Sequence, residues 1–424
     1  MRAGATLLVC AILGAGCSTI LAVNEQSEKL DANATIGGTV STAGYEATGP
    51  LIVGVVAAGT QGLHLVDYFV AEKPGAWMIH LAPGTYWVAA FEDRDRNGRY
   101  NDEPGLPVND KHPITVAAGE RRTDIDVAIP RDGRLRINDF SMADLHARGA
   151  DQQQTISLYA LSVAGRVVPL DDPRFDQKVA SSGMWKPYDF LIRTEPGIYF
   201  LEPYDPARIP VLFVHGIGGT PADFRALVGA LDHRRFQAWV AYYPSGARLD
   251  GLGEWLSQLF VRLRTSLRFD KAVVVAHSMG GLVARSFVLD DFERSGTKCV
   301  RTFVTISSPL GGMESAGKGV ENSPVVIRSW HGLAPKSEFL DGLFYKDVPT
   351  NRVRRTLPAH MAYHMIFGYH GGDSSDGVVA LSSQLRLEAQ QEARSIRGYD
   401  ETHTGILESP AVANRLAEIL GQIQ

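Results

Sequence analysis

From about residue 201 the chain alternates strand patterns with helical ones, and this alternation restricts the possible folds more than any other feature. Apolar runs such as "IPVLFVHG" and "KAVVVAHS" have the composition of parallel strands that are covered on both faces. Between them, "GEWLSQLFVRLRTSL" repeats apolar residues with the period of an amphipathic helix. Strands joined by right-handed helical crossovers form a doubly wound sheet, so residues 201–424 are predicted to form an α/β domain.

Length and charge set the outer limits of this prediction. At 424 residues the chain is long enough for two or three domains of about 150 residues each. A hydrophobic content of 45% with 21% charged residues is typical of a soluble globular protein. The net charge of −5 comes without a basic stripe, so we predict no nucleic-acid partner.

The segment before this domain has a different pattern of apolar and polar residues. Residues 35–130 consist of short alternating runs between turn signals, which predicts a small all-β sandwich. Its stretch "LAPGTYWVAAFED" resembles transthyretin-like and carboxypeptidase-regulatory-like β-sandwich modules. In residues 131–200, "QQTISLYALSVAGRVVPL" indicates two strands joined by Ala-Gly, and "FDQKVASSGMWKPYDFLI" is irregular. We interpret this segment as a connector that packs on the next domain. The predicted fold is therefore a doubly wound, mostly parallel α/β sheet preceded by a small all-β sandwich.

An acidic loop in the sandwich has part of a calcium-binding pattern. Asp93, Asp95 and Asn97 stand at alternate positions, from which oxygen ligands can converge on a hard cation. The twelfth position of such a loop should carry a bidentate Glu, but Pro104 occupies it, and Glu103 comes one place early. We therefore predict a solvated acidic turn without a bound metal.

The N-terminus has the pattern of an export signal. An early arginine, a short apolar run and small residues precede Cys17, and the run is too short to span a bilayer. The stretch "LGAGC" resembles a bacterial lipoprotein lipobox, which implies a signal peptide over 1–17, lipid on Cys17, and an outer-membrane lipoprotein. Secretion with cleavage nearby, to the periplasm or outside, is the alternative. Residues 18–34 are polar and are predicted to be a tether.

Within the α/β domain, "VVVAHSMGG" places a serine where a strand changes into a helix. A sharp turn there lifts the hydroxyl of Ser278 above the sheet, and the helix N-terminus favours negative charge beside it. The first small residue of this motif is Ala276 and the last is Gly280. His277 is interpreted as a packing residue of the turn.

An upstream loop supplies the second element that acyl transfer needs. "LFVHGIGGTPADF" ends a strand and begins a helix, and two backbone amides must point at the oxygen of a tetrahedral intermediate. The predicted donors are the amides of Ile217 and Met279. We interpret the side chain of His215 as a structural hydrogen-bonding group.

An acid and a base should follow the serine in that order. Asp376 in "GGDSSDGVV" and His403 in "YDETHTGIL" lie in loops after late strands, at the same edge of the sheet as Ser278. A serine hydroxyl needs an imidazole within hydrogen-bond reach, and the imidazole needs a carboxylate that orients it. Asp373, in the same loop as Asp376, is the alternative acid.

Together these motifs resemble those of bacterial lipases and esterases with the α/β-hydrolase fold. "VHGIGG", "AHSMGG", "SDGVV" and "HTGIL" are similar to the corresponding segments of those enzymes and occur in the same order over residues 209–421. The resemblance implies Ser278 as nucleophile, Asp376 as acid and His403 as general base. It implies a carboxylic-ester hydrolase that needs no cofactor.

These observations lead to one expected function and two alternatives. We expect an exported serine hydrolase that acts on small-molecule or lipid esters, with a cap over residues 311–356 that controls access. A non-catalytic cell-envelope binding protein on the same scaffold is one alternative. An amidase or acyltransferase with the same triad is the other. No HExxH or paired CxxC motif occurs, so we predict no catalytic metal.

Overall fold

The computed structural model describes residues 17–59, 62–106, 113–135, 162–349 and 351–423, without the side chains of 17–22 and 27. The predicted signal peptide therefore lies outside the described residues, except that the backbone of Cys17 begins the first helix. In this described part of the chain, no helix has both the length and the apolar character needed to cross a bilayer.

The predicted tether is helical over most of its length. Helix α1 (Cys17–Asp31) packs against a helix of the following domain. Val23 and Gln26 stand three residues apart, on one face of the helix, and both are buried. The side chain of Gln26 makes two hydrogen bonds to Asp189, one to its carboxylate at 3.0 Å and one from its backbone N–H at 2.8 Å. The segment is thus bound to the protein surface over its C-terminal half.

The N-terminal all-β region consists of two packed sheets. One has the order β4-β1-β8 with β9 beside β1, and the other has the order β3-β2-β5-β6 with β7 beside β5. Side chains from the inner faces form one core, which includes Ile36, Val53 and Trp77. The strands are β1 (Ala34–Ala43), β2 (Leu51–Gly59), β3 (Gly62–Ala71), β4 (Gly75–Leu81), β5 (Gly84–Glu92), β6 (Gly105–Leu106), β7 (Ile114–Val116), β8 (Arg121–Arg122) and β9 (Val127–Pro130).

An eight-stranded sheet forms the second unit, with the order β10-β11-β13-β12-β14-β15-β18-β19. Strand β11 pairs antiparallel with β13, and the strands from β13 to β19 are parallel. Its strands are β10 (Val163–Val167), β11 (Gly197–Phe200), β12 (Ile209–Val214), β13 (Phe236–Tyr242), β14 (Ala272–His277), β15 (Val300–Ile306), β18 (Ala362–Tyr369) and β19 (Ser395–Asp400). Strands β10 and β11 lie in the segment that the sequence indicates as a connector, so this sheet begins at residue 163 rather than after residue 201.

Helices cover both faces of this sheet, which explains the continuous apolar strands. Along β12, Leu212 belongs to the core on one face, whereas Phe213 belongs to the core on the other. Two helices cover the first face, α5 (Leu249–Leu267) and α6 (Gly280–Ser295), and two cover the second, α4 (Arg225–Gly229) and α12 (Pro410–Gly421). Four further helices outside the predicted cap are α2 (Gln177–Trp185), α3 (Pro187–Thr194), α10 (Leu381–Gln384) and α11 (Leu387–Glu392).

Helix α5 also joins the two units. Val261 on its outer surface packs into a cluster with Ile52 and Phe91 of the all-β region. Next to this contact, Arg264 makes ion pairs to Glu72, just after β3, at 2.6 Å and to Asp291 of α6 at 2.8 Å. An apolar contact surrounded by buried charge pairs fixes the all-β region on the α/β unit.

The predicted cap is an insertion between β15 and β18. It contains α7 (Glu314–Asn322), α8 (Arg328–Leu333), α9 (Glu338–Gly342) and a hairpin of β16 (Tyr345–Val348) and β17 (Asn351–Arg354). Arg285 of α6, which is fully buried, donates to the carbonyl of Leu343 and to both carboxylate oxygens of Glu392. The ring of Phe344 lies 4.1 Å from the guanidinium groups of both Arg285 and Arg386. The hairpin end of the insertion is therefore attached to the core, while control of access by the cap stays a prediction.

Candidate active site

The site is built around a strained turn between β14 and α6. Ser278 has a φ of +54°, in a region of backbone conformation that residues other than glycine rarely adopt. A Cβ atom on Gly280 would lie 2.4 Å from the carbonyl oxygens of both Val214 and His215, so only glycine fits there. The small residues of the motif thus let the turn lie against the neighbouring strand β12, with Ser278 at the edge of the sheet.

The structure brings the three predicted catalytic side chains together. The Oγ atom of Ser278 lies 2.9 Å from Nε2 of His403, and Nδ1 of His403 lies 2.7 Å from Oδ2 of Asp376. These residues follow β14, β19 and β18, whose carboxyl ends share one edge of the sheet. Asp376, and not the exposed Asp373, is the carboxylate that contacts the imidazole.

The carboxylate of Asp376 is buried but well supplied with donors. Its Oδ1 atom accepts hydrogen bonds from the backbone N–H groups of Val378 at 3.0 Å and Val379 at 2.7 Å. Burial raises the pKa of Asp376, but the contact with His403 and these two amides lower it more, so that the pKa lies below its ordinary value. An ionised Asp376 accepts a hydrogen bond from Nδ1, so Nε2 of His403 is left to accept the proton of Ser278.

Two backbone amides flank the serine. Gly219 N–H donates to the carbonyl of Gly216 at 3.2 Å, which closes a four-residue turn with Gly218 at a φ of +64°. Among the described residues, neither the N–H of Ile217 in this turn nor that of Met279 has a hydrogen-bond acceptor. Two N–H groups without acceptors beside a buried hydroxyl can bind a negatively charged oxygen.

His215 lies beneath this turn. Its Nδ1 atom lies 2.8 Å from the carbonyl oxygen of Gly216, and its ring stacks on Tyr243 with a centroid distance of 4.2 Å. Burial lowers the pKa of His215 to about 4, so the ring is neutral near pH 7. The sequence indicates a structural hydrogen-bonding group at this position, and the side chain of His215 contacts the turn of residues 216–219.

His277 contacts the base rather than the serine. Its Nε2 atom lies 2.8 Å from the carbonyl oxygen of His403, and the two rings lie 4.7 Å apart. A carbonyl only accepts, so Nε2 of His277 carries a proton. Burial, followed by the proximity of His403, lowers the pKa of His277 to about 3. His277 is therefore a neutral donor that holds the backbone carbonyl of His403.

The segment between β10 and β11 supports the turn of residues 216–219, and sequence reasoning missed this contact. Gln177 of α2 donates from Nε2 to the carbonyl of Gly218 at 2.7 Å, and Thr220 donates from Oγ1 to the carbonyl of Phe175 at 2.5 Å. Both contacts join positions more than 40 apart in sequence. No local pattern in the sequence signals such pairs.

The acidic loop of the all-β region has three carboxylates in reach of one another. Oxygen atoms of Asp93, Asp95 and Glu103 lie within 4.8 Å of one another, so these residues could hold a metal ion. Asn97 instead accepts a hydrogen bond from the N–H of Arg99 at 2.6 Å. Burial raises the pKa of Asp93 to about 6, since the lowering effect of the Gly98 N–H is outweighed by burial together with the neighbouring Asp95 and Glu103.

A cavity of about 980 Å³ lies elsewhere, at the junction of α1, the all-β region, α5 and the cap segment. Leu249, Trp255 and Phe339 supply apolar lining, and Arg248 and Arg328 are among the charged residues. None of the described residues of the Ser278 site lines this cavity. It belongs to the junction between units and not to the Ser278 site.

Comparisons with known proteins identify the fold of the second unit. Residues 211–405 match the family described as "Alpha/beta hydrolase family". A search of curated protein sequences finds no match. The fold class predicted from sequence, an α/β-hydrolase sheet after an all-β region, is thereby confirmed.

Solved structures that resemble the chain cover about half of it. A lipase of Bacillus licheniformis in its mature form is 17% identical, with a TM-score of 0.42, and the alignment covers 53% of this chain and 98% of that one. Naproxen esterase of Bacillus subtilis is 14% identical (TM-score 0.31; 53% and 86% covered). Lipase B of Aspergillus fumigatus is 16% identical (TM-score 0.39; 55% and 57% covered).

Proposed function

From the α/β-hydrolase fold and its Ser278 site, we propose that the protein is an exported serine hydrolase that cleaves carboxylic esters through an acyl-enzyme intermediate. The observation that carries this proposal is the continuous chain of hydrogen bonds from Ser278 through His403 to Asp376. A hydroxyl, an imidazole and a carboxylate in that order form the arrangement that activates serine for attack on an acyl carbon.

The first half of the reaction forms the acyl-enzyme. The Oγ atom of Ser278 bonds to the acyl carbon while Nε2 of His403 takes the hydroxyl proton, and Asp376 stabilises the imidazolium. The amides of Ile217 and Met279 donate to the oxyanion of the tetrahedral intermediate. When the ester C–O bond breaks, Nε2 returns the proton to the departing alkoxide, and the alcohol leaves.

The second half repeats these steps with water. His403 takes a proton from the water molecule, whose oxygen bonds to the acyl carbon. The bond to Oγ of Ser278 then breaks, Nε2 gives the proton back to Oγ, and the carboxylic acid leaves. Every proton passes through one imidazole, so the reaction needs no cofactor.

A non-catalytic role and a related acyl-transfer reaction are the competing functions. A pure binding protein has no physical need for a buried Ser–His–Asp chain beside two N–H groups without acceptors, and this favours catalysis. Amide hydrolysis and transfer to an alcohol use the same groups, and the substrate panel below separates them from ester hydrolysis.

Labelling with a fluorophosphonate probe tests the nucleophile. We expect the wild type to bind the probe covalently, and Ser278→Ala to lose both labelling and about six orders of magnitude of ester hydrolysis. Ser382→Ala, at an exposed serine of α10, is the matched control and should behave as the wild type. Labelling that survives in Ser278→Ala would exclude this serine. A panel of p-nitrophenyl esters of increasing chain length, with matching anilides, then defines the acyl preference.

Export and anchoring are proposed from the sequence alone, through the lipobox-like stretch ending at Cys17. Growth with a radiolabelled fatty acid should label the wild type and bring it into the membrane fraction. Cys17→Ala should lose the label and move to the soluble fraction, with esterase activity per molecule unchanged. Equal distribution of both proteins would show that the residue carries no lipid.

The cap segment is proposed to set the acyl preference. Trp330 of α8 packs on α7, where a Cβ on Gly319 would approach its ring to 2.8 Å. Trp330→Ala should loosen these two helices and broaden the range of chain lengths accepted. An unchanged chain-length profile would contradict a role of the cap in selectivity.

A further inference from the structure

A glutamine contacts the same carboxylate oxygen of Asp376 as the imidazole of His403 does. Gln384, the last residue of α10, is 2% exposed. Its Nε2 atom lies 3.0 Å from the carbonyl oxygen of Gly368, 3.0 Å from that of Val379 and 3.3 Å from Oδ2 of Asp376. Its Oε1 atom accepts the N–H of Gly368 at 3.0 Å. One side-chain amide thus connects the end of β18, the turn after the acid, and the carboxylate itself.

The surroundings permit only one orientation of this amide. Three acceptors face Nε2, and one donor faces Oε1. If the two atoms exchanged places, Oε1 would face three acceptor oxygens and the NH₂ group would face the N–H of Gly368, so no hydrogen bond could form. The amide of Gln384 is therefore fixed as a donor toward Asp376.

The close approach of β18 makes this contact specific. A Cβ atom on Gly368 would lie 3.0 Å from the Cβ of Asp376, so glycine lets the strand pass directly beside the acid. Oδ1 of Asp376 is held by two backbone amides of its own turn. Oδ2, the oxygen that contacts His403, has Gln384 as its second donor.

We infer that Gln384 is a positioning residue, which holds Oδ2 of Asp376 in line with Nδ1 of His403 and moderates the basicity of that carboxylate. This inference rests on the proposed function, since it assigns Asp376 to the triad. Gln384 itself touches neither Ser278 nor any reacting atom. Its effect on the reaction passes through the carboxylate and then through the imidazole.

Gln384→Met tests the loss of the donor at nearly constant side-chain length. We expect kcat to fall about ten- to hundredfold with little change in KM, because a misdirected carboxylate weakens orientation of the base and not the binding of substrate. Gln391→Glu and Gln391→Met, at an exposed position of α11, are the controls and should match the wild type. A Gln384→Met enzyme with a normal unfolding midpoint and kcat within twofold of wild type would overturn the inference.

Gln384→Glu should change the pH profile of kcat, which a purely structural role of this residue would leave unaltered. A protonated glutamate can still donate to Asp376, whereas an ionised one cannot, and burial beside another carboxylate raises its pKa. The pH profile of kcat should therefore gain a reversible descending limb between roughly pH 6 and 9, absent in Gln391→Glu. A profile of wild-type shape would overturn the inference even if Gln384→Met fails to fold.

The two proposals fail in different ways. If Ser278→Ala retains the activity, the proposed function is wrong, whatever Gln384 does. If Ser278→Ala abolishes activity and the pH profile of Gln384→Glu keeps the wild-type shape, only the positioning role is wrong.

Discussion

Nδ1 of His215 lies 2.8 Å from the carbonyl oxygen of Gly216, and this contact orients the peptide that follows. In a trans peptide the C=O of one residue and the N–H of the next point in opposite directions. A donor that holds the carbonyl of Gly216 therefore turns the N–H of Ile217 the other way. The side chain of His215 thus acts on the proposed oxyanion hole without lining it.

His215→Phe should remove this donor and keep an aromatic ring against Tyr243. We expect kcat to fall about tenfold to a hundredfold with KM nearly unchanged, which is less than the loss of an oxyanion donor itself. The acid limb of the pH profile should stay in place, because His215 is neutral above its pKa of about 4. Steady-state kinetics over pH 5 to 9 check this, with the exposed His370→Phe as control. A moved acid limb would argue that His215 takes part in proton transfer.

Gly280→Ala should damage stability and activity together. The added methyl would meet two backbone carbonyls at 2.4 Å, and neither can move without shifting strand β12. We expect a loss of about 1–3 kcal/mol in the free energy of unfolding, and hydrolysis reduced to near background. Gly251→Ala is the matched control, since its Cβ points to open space in helix α5 and should stabilise by about 0.5–1 kcal/mol. Urea titrations of both variants decide the matter, and equal effects would contradict the crowding at Gly280.

Arg264 should prove more important to stability than exposed arginines. Its removal leaves Asp291 buried without its partner, and we expect a cost of about 3–5 kcal/mol in the free energy of unfolding of Arg264→Ala. Arg248→Ala, whose pair with Asp250 is 65% and 53% exposed, should cost at most about 1 kcal/mol. Chemical denaturation compares the two. Similar small losses would mean that the charge network does not hold the two units together.

Asp376→Asn should separate a catalytic from a stability effect. The amide can hold the wrong tautomer of His403, so we expect kcat to fall by about four orders of magnitude near pH 7. The pKa of Asp376 is lowered in the folded protein, so its stabilisation is present above the unfolded pKa and is lost as pH falls through the folded value. The stability gap between wild type and variant should therefore narrow toward acid pH in urea titrations. A stability difference that widens toward acid pH would mean that the pKa of Asp376 is raised, and not lowered, in the folded protein.

The three side chains of the Ser278 site were more predictable from the sequence than the residues that hold them in place. Ser278, Asp376 and His403 each stand in a short motif just after a strand, and a parallel sheet brings such positions to one edge. Gln384 and Gln177 also contact the site, but neither is marked by a motif. Gln384 stands on a short helix eight residues after Asp376, and Gln177 stands on a helix 41 residues before Gly218. Side chains whose role depends on one tertiary contact leave no periodic signal.

Secondary-structure elements that depend on tertiary contacts were also missed from the sequence, as strand β10 and helix α1 show. The sequence indicates a turn at Ala164 and Gly165, but both residues lie within the half-exposed strand β10, at the register shift of its pairing with β11. Helix α1 is polar enough to read as a tether, and its contact with Asp189 depends on a segment more than 160 residues away. The apolar runs after residue 209 made the buried strands β12, β13, β14, β15 and β18 predictable, whereas the more exposed β19 and the hairpin β16–β17 have no such run.

The pairing of β11 with β13 bears on how the chain can be divided. A fragment that starts at residue 201, where the sequence texture changes, would lack Phe200 and leave Trp239 without its stacking partner at 4.2 Å. It would also expose the main-chain donors and acceptors of β13 along one border of the sheet, where another molecule could add its own strand. A cut before residue 163 keeps that border closed.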